Sequence, residues 1–387
     1  MLRQILEITL MNLRNVNSRR GASSVIVVGI AGVVAVLIGL LSMAAGFSAA
    51  MKDSSRPDRA IVMRAGSSDE LDSWLANDEM NVITQLPGIE IASGEIYVAL
   101  DLPKRATRKT ATVVGRGVQA EAFAVRPELH IVEGRAFTPG HNEMLVGAAA
   151  AREYVGLEVG DRVELRDQPW TVVGHFETDG SATESEVWMD LATAQSVFRR
   201  SGAVNSIRVQ LKNPDQLISI NAQIQNDPRL RAALIAESEF YGGQSKTQTA
   251  LIETFAYFVA AIMAIGAVIA ALNSMYAAVS VRTVEIATLR ALGFGNAPVV
   301  ASVMIEALAL ALLGGVLGGA IVYLAFDGYS ASTLNNAAHA QVAFGFRVTP
   351  RLLQLGIVWA LALGFVGGLL PALRAARMPI TTALRGE

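Results

Sequence analysis

Residues 254–281 read TFAYFVAAIMAIGAVIAALNSMYAAVSV, and residues 282–293 read RTVEIATLRALG. The first stretch contains no Asp, Glu, Lys or Arg. Crossing a hydrocarbon core ~30 Å thick takes roughly 20 helical residues, and this run is long enough. The second stretch is short and helix-like, with Arg282, Glu285 and Arg290 on an otherwise apolar background. Another apolar run, 297–326, then leaves it, interrupted only by Glu306. A short charged segment between two membrane spans must lie on one face of the bilayer, within reach of anything docked there. The expectation is a coupling element that passes force from a soluble partner into the membrane.

Working outward, the same reading applies twice more. Residues 21–51 and 352–373 also lack charged side chains. Four transmembrane helices are expected, near 24–47, 254–279, 298–325 and 352–372. Buried core helices of a large soluble protein are the alternative, but four runs of this length speak against it. A chain that is 52% hydrophobic is more apolar than an ordinary soluble domain. There are no cysteines, which excludes disulfides and thiolate metal sites, and the net charge of −2 carries no nucleic-acid signal. No nucleic-acid partner is expected.

Basic residues set the orientation. Arg3, Arg14, Arg19 and Arg20 precede the first span, Arg282 and Arg290 sit in the central segment, and Arg374, Arg377 and Arg385 lie in the tail. Lys and Arg in short loops mark the cytoplasmic side, so both termini and the segment 280–297 are expected there. Residues 48–253 and 327–351 then face outward. Leu2, Ile5, Leu6, Leu10, Leu13 and Val16 recur at spacings of three and four. That pattern suits an amphipathic helix in the inner interface over 1–20, or a short soluble helix packed on a partner. The first apolar run, 21–50, is too long for a cleaved signal peptide and reads as an uncleaved anchor.

The outward segment, 51–250, has ordinary soluble composition and mixed α and β patterning. Strands are expected at 60–64, 95–100, 110–115, 144–146, 162–165, 170–176, 187–189, 206–211 and 234–240. Helices are expected from Asn77 or Asp78 to about Leu86, over 148–155 and 191–199, and from Pro214 to about Gln225. An α+β lobe (51–120 and 201–250) would be interrupted by a β-rich lobe (121–200). His130, His141, His175 and His339 have no metal-pair spacing, and no nucleophile motif or paired carboxylate stands out. No catalytic residue, metal or enzymatic activity is expected in this chain. Glu184 and Glu186 read as a solvated loop.

Within the spans, Gly314, Gly315, Gly318 and Gly319 form two overlapping G-x-x-x-G patterns, and Gly364 and Gly368 repeat the spacing. Such spacing lets helix backbones approach closely, within one chain or between subunits. Glu306 is a carboxylate inside a span, costly unless paired. Arg282, Arg290 and Arg374 are its candidate partners.

Arg282, Glu285, Ile286, Leu289, Arg290, Ala291, Leu292 and Gly293 match the R-x-x-E-I-x-x-L-R-A-L-G signature of FtsX/MacB-type ABC transporter permeases. Glu306 matches the acidic residue those permeases carry early in the third span. Pro371, Ala372, Arg374 to Arg377, Pro379 and Leu384-Arg385 are similar to the family's tail. Gly134-Arg135 within 129–137, together with 170–174, resembles the MacB periplasmic core domain. The resemblance implies a periplasmic core over 51–250 and an FtsX-like domain over 251–387, in a bacterial inner membrane. It implies mechanotransmission: a separate ABC ATPase, holding ATP and Mg, closes a dimeric membrane unit and moves the outward domains for efflux or lipoprotein export. No G-x-x-x-x-G-K-[ST] loop occurs in the chain, so no cofactor is expected in it. By the same resemblance, Arg282, Glu285, Ile286, Leu289 and Arg290 couple to the ATPase, Glu285 and Arg290 as polar contacts and Ile286 and Leu289 in an apolar groove. A second permease subunit, identical or different, membrane lipids and a periplasmic adaptor are the further partners implied. FtsX itself implies the alternative, a signalling subunit that transports nothing and regulates cell-wall hydrolases.

Overall fold

The computed structural model describes residues 20–293, 295–335 and 340–378, apart from the side chains at 20, 22, 289, 334 and 335. The amphipathic pattern of 2–16, His339 and the tail beyond Met378 lie outside the described residues. The chain divides into two compact units: a helical unit from residues up to 45, 251–329 and 346 onward, and a sheet unit from 46–250 and 330–345.

The sheet unit is built on strands β1 (Arg59–Arg64), β2 (Leu75–Ala76), β3 (Ile89–Pro103), β4 (Thr110–Val118), β5 (His130–Gly134), β6 (Glu143–Gly147), β7 (Arg162–Leu165), β8 (Gln168–Glu177), β9 (Glu186–Asp190), β10 (Ala203–Val204), β11 (Ser206–Leu211), β12 (Ala232–Ala236), β13 (Ser330–Asn335) and β14 (Ala340–Gly345). Ten of these form one sheet in the order β12-β1-β11-β3-β4-β9-β6-β8-β5, with β7 added on β8. Strands β2 and β10 pair separately, as do β13 and β14.

The two lobes expected from the sequence share this single sheet. Residues 114–118 of β4 pair in parallel with 186–190 of β9, which carries the ladder from one lobe into the other. The join is buried: Val114 and Val118 on one strand and Val187, Trp188 and Met189 on the other are covered, beside the paired charges of Arg116 and Glu186. Hydrophobic burial across the seam, at about 25 cal/mol per Å² of apolar area, favours one core over two.

Most expected elements lie within a few residues of their places. The strand expected over 234–240 is shorter. It ends at Ala236, and Glu237 opens the helix Glu237–Val281. Leu234 N–H donates to Asn221 Oδ1 (3.0 Å), tying the strand end to the helix Leu217–Asn226. The first expected helix runs Asn77–Thr84 with Ala76, rather than Asn77 or Asp78, at its N-cap. Glu79 reaches back to accept from the Ala76 amide (2.9 Å), satisfying a donor the cap's methyl cannot. The Gly134-Arg135 pair also has a local cause. Gly134 has φ +71°, and a Cβ there would sit 2.2 Å from the Val173 carbonyl oxygen. Strand β5 shifts register against β8 between Ile131 and Glu133, just before the pair, and Arg135 grips Glu143 with bonds of 2.6 and 2.8 Å. Those bonds hold the Glu143 carboxyl down at about 2.

Among the described residues, four helices are long and apolar enough to cross a membrane: Ser23–Asp53, Glu237–Val281, Asn296–Phe326 and Pro350–Arg377. The first begins at Arg20 as a regular helix. The second is a single helix of 45 residues, of which 237–250 fall in the sheet unit and 251–281 in the helical unit.

The glycine patterns pack within one chain. On the third long helix Gly314 lies against Val27 and Ile30 of the first, and Gly318 against Ala31 and Val34. One residue on, Gly315 faces Ala360 and Ile357 of the fourth, and Gly319 faces Leu353. The overlapping patterns therefore present two adjacent stripes to two different neighbours. Gly364 and Gly368 meet Ala311 and Ala307, completing the seam between the third and fourth helices. A Cβ on Gly318 would stand 2.5 Å from the Ala31 carbonyl oxygen, so only glycine permits this approach.

Candidate functional site

The central segment is a helix of nine residues, Thr283–Ala291, separated from the second long helix by Arg282 alone. Arg282 has φ −100° and ψ 11°, outside the helical region, while its N–H still donates to Val279 (3.0 Å). Glu285 in the first turn and Arg290 in the last complement the helix dipole. Gly293, at φ +96°, ends the segment in the left-handed conformation that favours glycine.

The helix has two unlike faces. Arg282, Ile286 and Ala287 are buried, and Ile286 packs in the helical unit's core with Met275, Val279 and Val299. Glu285 and Thr288 are exposed. So are the apolar side chains of Val281, Val284 and Leu292, at 75%, 53% and 73%. The residues nominated from sequence are thus divided. Glu285 is on the open face. Arg282 and Ile286 face inward, and the Leu289 side chain is outside the described residues. Arg290 is half-buried and donates to the Met378 carbonyl at the end of the fourth long helix. Val284 and Leu292 stand on the open face too; an apolar residue in a membrane protein gives no sign of which side of a short helix it will take.

Glu306 finds the first of its candidate partners. Arg282 Nη1 donates to Glu306 Oε2 at 2.8 Å and Nη2 to Oε1 at 3.4 Å, with both side chains buried. Arg374 instead lies over the Tyr276 ring, 5.5 Å from its centroid.

The sheet unit contains a larger buried charge network. Arg116 grips Glu186 through Nε (2.8 Å) and Nη2 (2.7 Å), and also donates to Glu70 (2.8 and 3.0 Å) and Glu95 (2.9 Å). Arg126 grips the other side of Glu95 (2.7 and 3.0 Å) and lies over Trp188, 4.9 Å from its centroid. Arg208 donates to Glu237 (2.8 Å), the Tyr241 hydroxyl (3.1 Å) and Glu70 (3.4 Å). Arg59 joins Glu237 (2.6 Å) to Glu128 (2.5 Å). Burial disfavours the charged forms of Glu70 and Glu95, but the surrounding guanidinium groups outweigh it and hold both carboxyls below the usual range. The same carboxylates raise the Arg116 guanidinium further, against its own burial. Tyr97, under Arg116 and deeply covered, is pushed up by burial.

This corrects the reading of Glu184 and Glu186 as a solvated loop. Both are buried. Glu184 accepts from the amides of Thr178 (2.8 Å) and Gly180 (2.7 Å), and Glu186 accepts from Arg116 and from Trp188 Nε1 (2.8 Å). Glu184 is buried against amides of its own turn, whereas Glu186 depends on Arg116 from the neighbouring strand β4, a partner that sequence spacing does not reveal.

Comparison with known proteins agrees with this architecture. Residues 23–227 match the MacB-like periplasmic core domain, and residues 257–380 match the FtsX-like permease C-terminal family. The chain belongs to the FtsX/MacB-type ABC transporter permeases. Among curated relatives, the permease is 28% identical to the macrolide export ATP-binding/permease protein MacB of Brucella abortus, over 60% of this chain and 36% of that protein. It is 22% identical to an uncharacterized ABC transporter permease of Methanocaldococcus jannaschii, over 60% of this chain and 58% of that one. It is 25% identical to the uncharacterized ABC transporter permease YknZ of Bacillus subtilis, over 67% and 66%. The permease thus spans little more than a third of that MacB and under two thirds of the M. jannaschii protein. Among solved structures, the periplasmic region of MacB from Actinobacillus actinomycetemcomitans aligns with a TM-score of 0.37 at 14% identity, over 51% of this chain and 92% of that one. The extracellular domain of YknZ aligns at 0.36 and 16%, over 46% and 99%.

Proposed function

We propose that this permease couples ATP hydrolysis by a separate ABC ATPase to movement of its sheet unit on the outer side of a bacterial inner membrane, for efflux or envelope export. Both termini and the helix Thr283–Ala291 face the cytoplasm in this reading. The observation that carries it is the second long helix. It starts at Glu237, which Arg59 and Arg208 bolt into the sheet unit, and runs unbroken to Val281, one residue before the coupling helix. A pull or rotation at the coupling helix has a continuous hydrogen-bonded element along which to act.

The ATPase, which binds ATP and Mg, docks on the exposed face formed by Val284, Glu285, Thr288 and Leu292. Val284 and Leu292 supply apolar contact, and Glu285 supplies charge specificity. Arg290 supports the helix from within. A second permease subunit completes the membrane unit, and a periplasmic adaptor meets the sheet unit. This chain performs no catalysis itself.

Co-purification from membranes with candidate ABC ATPases tests the reading. The wild-type chain retains its ATPase; Glu285→Lys and Leu292→Glu lose it, without loss of folded protein because both side chains are exposed. Equal capture by all three chains would move the docking site elsewhere. No capture by any chain, across the ATPases of one organism, would remove the export reading.

A further inference from the structure

Arg282 and Glu306 have a second meaning once their burial is considered. A guanidinium and a carboxylate this deep are tolerable only together. Parting them would leave two charges in a medium where an unpaired charge is costly. The pair joins two specific places: the one non-helical residue between the second long helix and the coupling helix, and the cytoplasmic half of the third long helix. The other end of the coupling helix is tied as well, through Arg290 to the carbonyl of Met378, where the fourth long helix ends.

The third and fourth helices are one packed object. Glu306 is followed directly by Ala307, whose Cβ would meet a Cβ on Gly368 at 2.6 Å. Gly364 and Gly315 continue the seam against Ala311 and Ala360. These two helices are joined at their other end by the β13–β14 hairpin, which belongs to the sheet unit. There Ser332 bonds Lys104 (2.9 Å) and Glu153 (2.8 Å), and the Ala343 amide donates to Ser185 (2.8 Å).

We infer that Arg282 is a positioning residue and not a contact for the ATPase: its ion pair with Glu306 latches the coupling helix to the third and fourth helices, giving force a second route to the sheet unit through the hairpin. This rests on the reading of Thr283–Ala291 as the docking helix. The residue break at Arg282 lets the coupling helix swivel against the second long helix. The latch makes that swivel carry the third and fourth helices with it. In this arrangement one docking event acts on two elements: the second long helix directly, and the helix pair through Arg282 and Glu306.

The chain has no native cysteine, so labels can be placed at will. The test uses the full chain in lipid nanodiscs, with nitroxides on cysteines introduced at the exposed positions Thr288 and Leu324. Pulsed electron resonance then reads the distance from coupling helix to third helix. The expected result is one narrow distance in the otherwise wild-type chain. Arg282→Gln and Glu306→Gln each broaden or shift it, the double variant broadens it no further, and the swap R282E/E306R restores it. Arg282→Lys, which keeps the charge, gives an intermediate width and remains informative where the neutral variants fold poorly. Unchanged distances in Arg282→Gln and Arg282→Lys would overturn the latch.

The second readout is ATPase capture. Arg282→Gln is expected to keep it while Glu285→Lys loses it. Loss of capture in Arg282→Gln with an unchanged distance would make Arg282 a docking contact and overturn the inference. If the wild-type chain captures no ATPase, the docking reading falls by itself, and the latch still stands or falls on the distances.

Discussion

Two regions of this permease bury charge, and they do so differently. In the sheet unit the carboxylates of Glu70, Glu95, Glu186 and Glu237 are each gripped by two or more donors, and Arg116 alone reaches three of them. In the helical unit Arg282 and Glu306 pair with each other among the described residues. The network spreads desolvation over many short bonds, so no single contact decides its geometry. The pair concentrates the whole cost in one contact, so its closure dictates how two helices sit. The first arrangement resists the loss of any one contact. The second makes one contact decisive, as the latch inferred above requires.

Removing the network's centre is expected to have the greatest effect. Arg116→Leu leaves Glu70, Glu95 and Glu186 buried with one cation fewer between them. The expected loss is about 3–5 kcal/mol, the range for a broken buried pair. Thermal unfolding of the sheet unit within the full chain, or its sensitivity to protease, reads it out. A midpoint within a degree or two of wild type would mean that the network is ornamental and the contrast is lost.

Acid titration probes the same network more gently. Glu70 and Glu95 have folded carboxyls held below the usual range. The unfolded chain, with Glu near 4.3, therefore takes up protons first as pH falls. Their contribution is whole above that value and drains away as pH drops through the folded ones. The melting midpoint of the sheet unit should be flat from about pH 8 to 5 and fall steeply below about pH 4. Glu70→Gln should lower the plateau and make the acid slope shallower. An unchanged slope in that variant would assign the acid sensitivity to other groups.

The smallest effect concerns the helix seam beside Glu306. Gly368→Val drives a branched side chain into Ala307, one residue from Glu306, where a Cβ alone already comes within 2.6 Å. Overpacking of this kind costs about 1–3 kcal/mol. In nanodiscs it should lower the helical unit's midpoint while leaving the sheet unit's unfolding alone. A shift of both together would show that the two regions do not melt separately.

Parts of this architecture were open to reading and parts were not, for definable reasons. The four long helices were legible because uncharged runs of membrane length have few alternatives. The partner of Glu306 was narrowed to three arginines because a span admits few charges, and one of the three is the right one. The glycine stripes announced close packing, but not that Gly314 and Gly318 serve one neighbour while Gly315 serves another. Within the helix Thr283–Ala291, composition marked the segment but could not choose its face. Ile286 and Val284 are equally apolar, and only the position of the neighbouring helices buries the first and exposes the second.

Features that depend on neighbours along the chain were legible beforehand: the four long apolar helices, the short charged helix among them, most strands, and the signature that places the chain in its family. The remaining features depend on residues far apart in the chain. Glu186 looked solvated beside Glu184 until Arg116, seventy positions away, closed on it. The parallel pairing of β4 with β9 merged two expected lobes into one sheet. The physical reason is common to both cases. Burying a charge or a strand edge is unfavourable until a partner arrives, and the identity of that partner is a property of the fold and not of the local sequence.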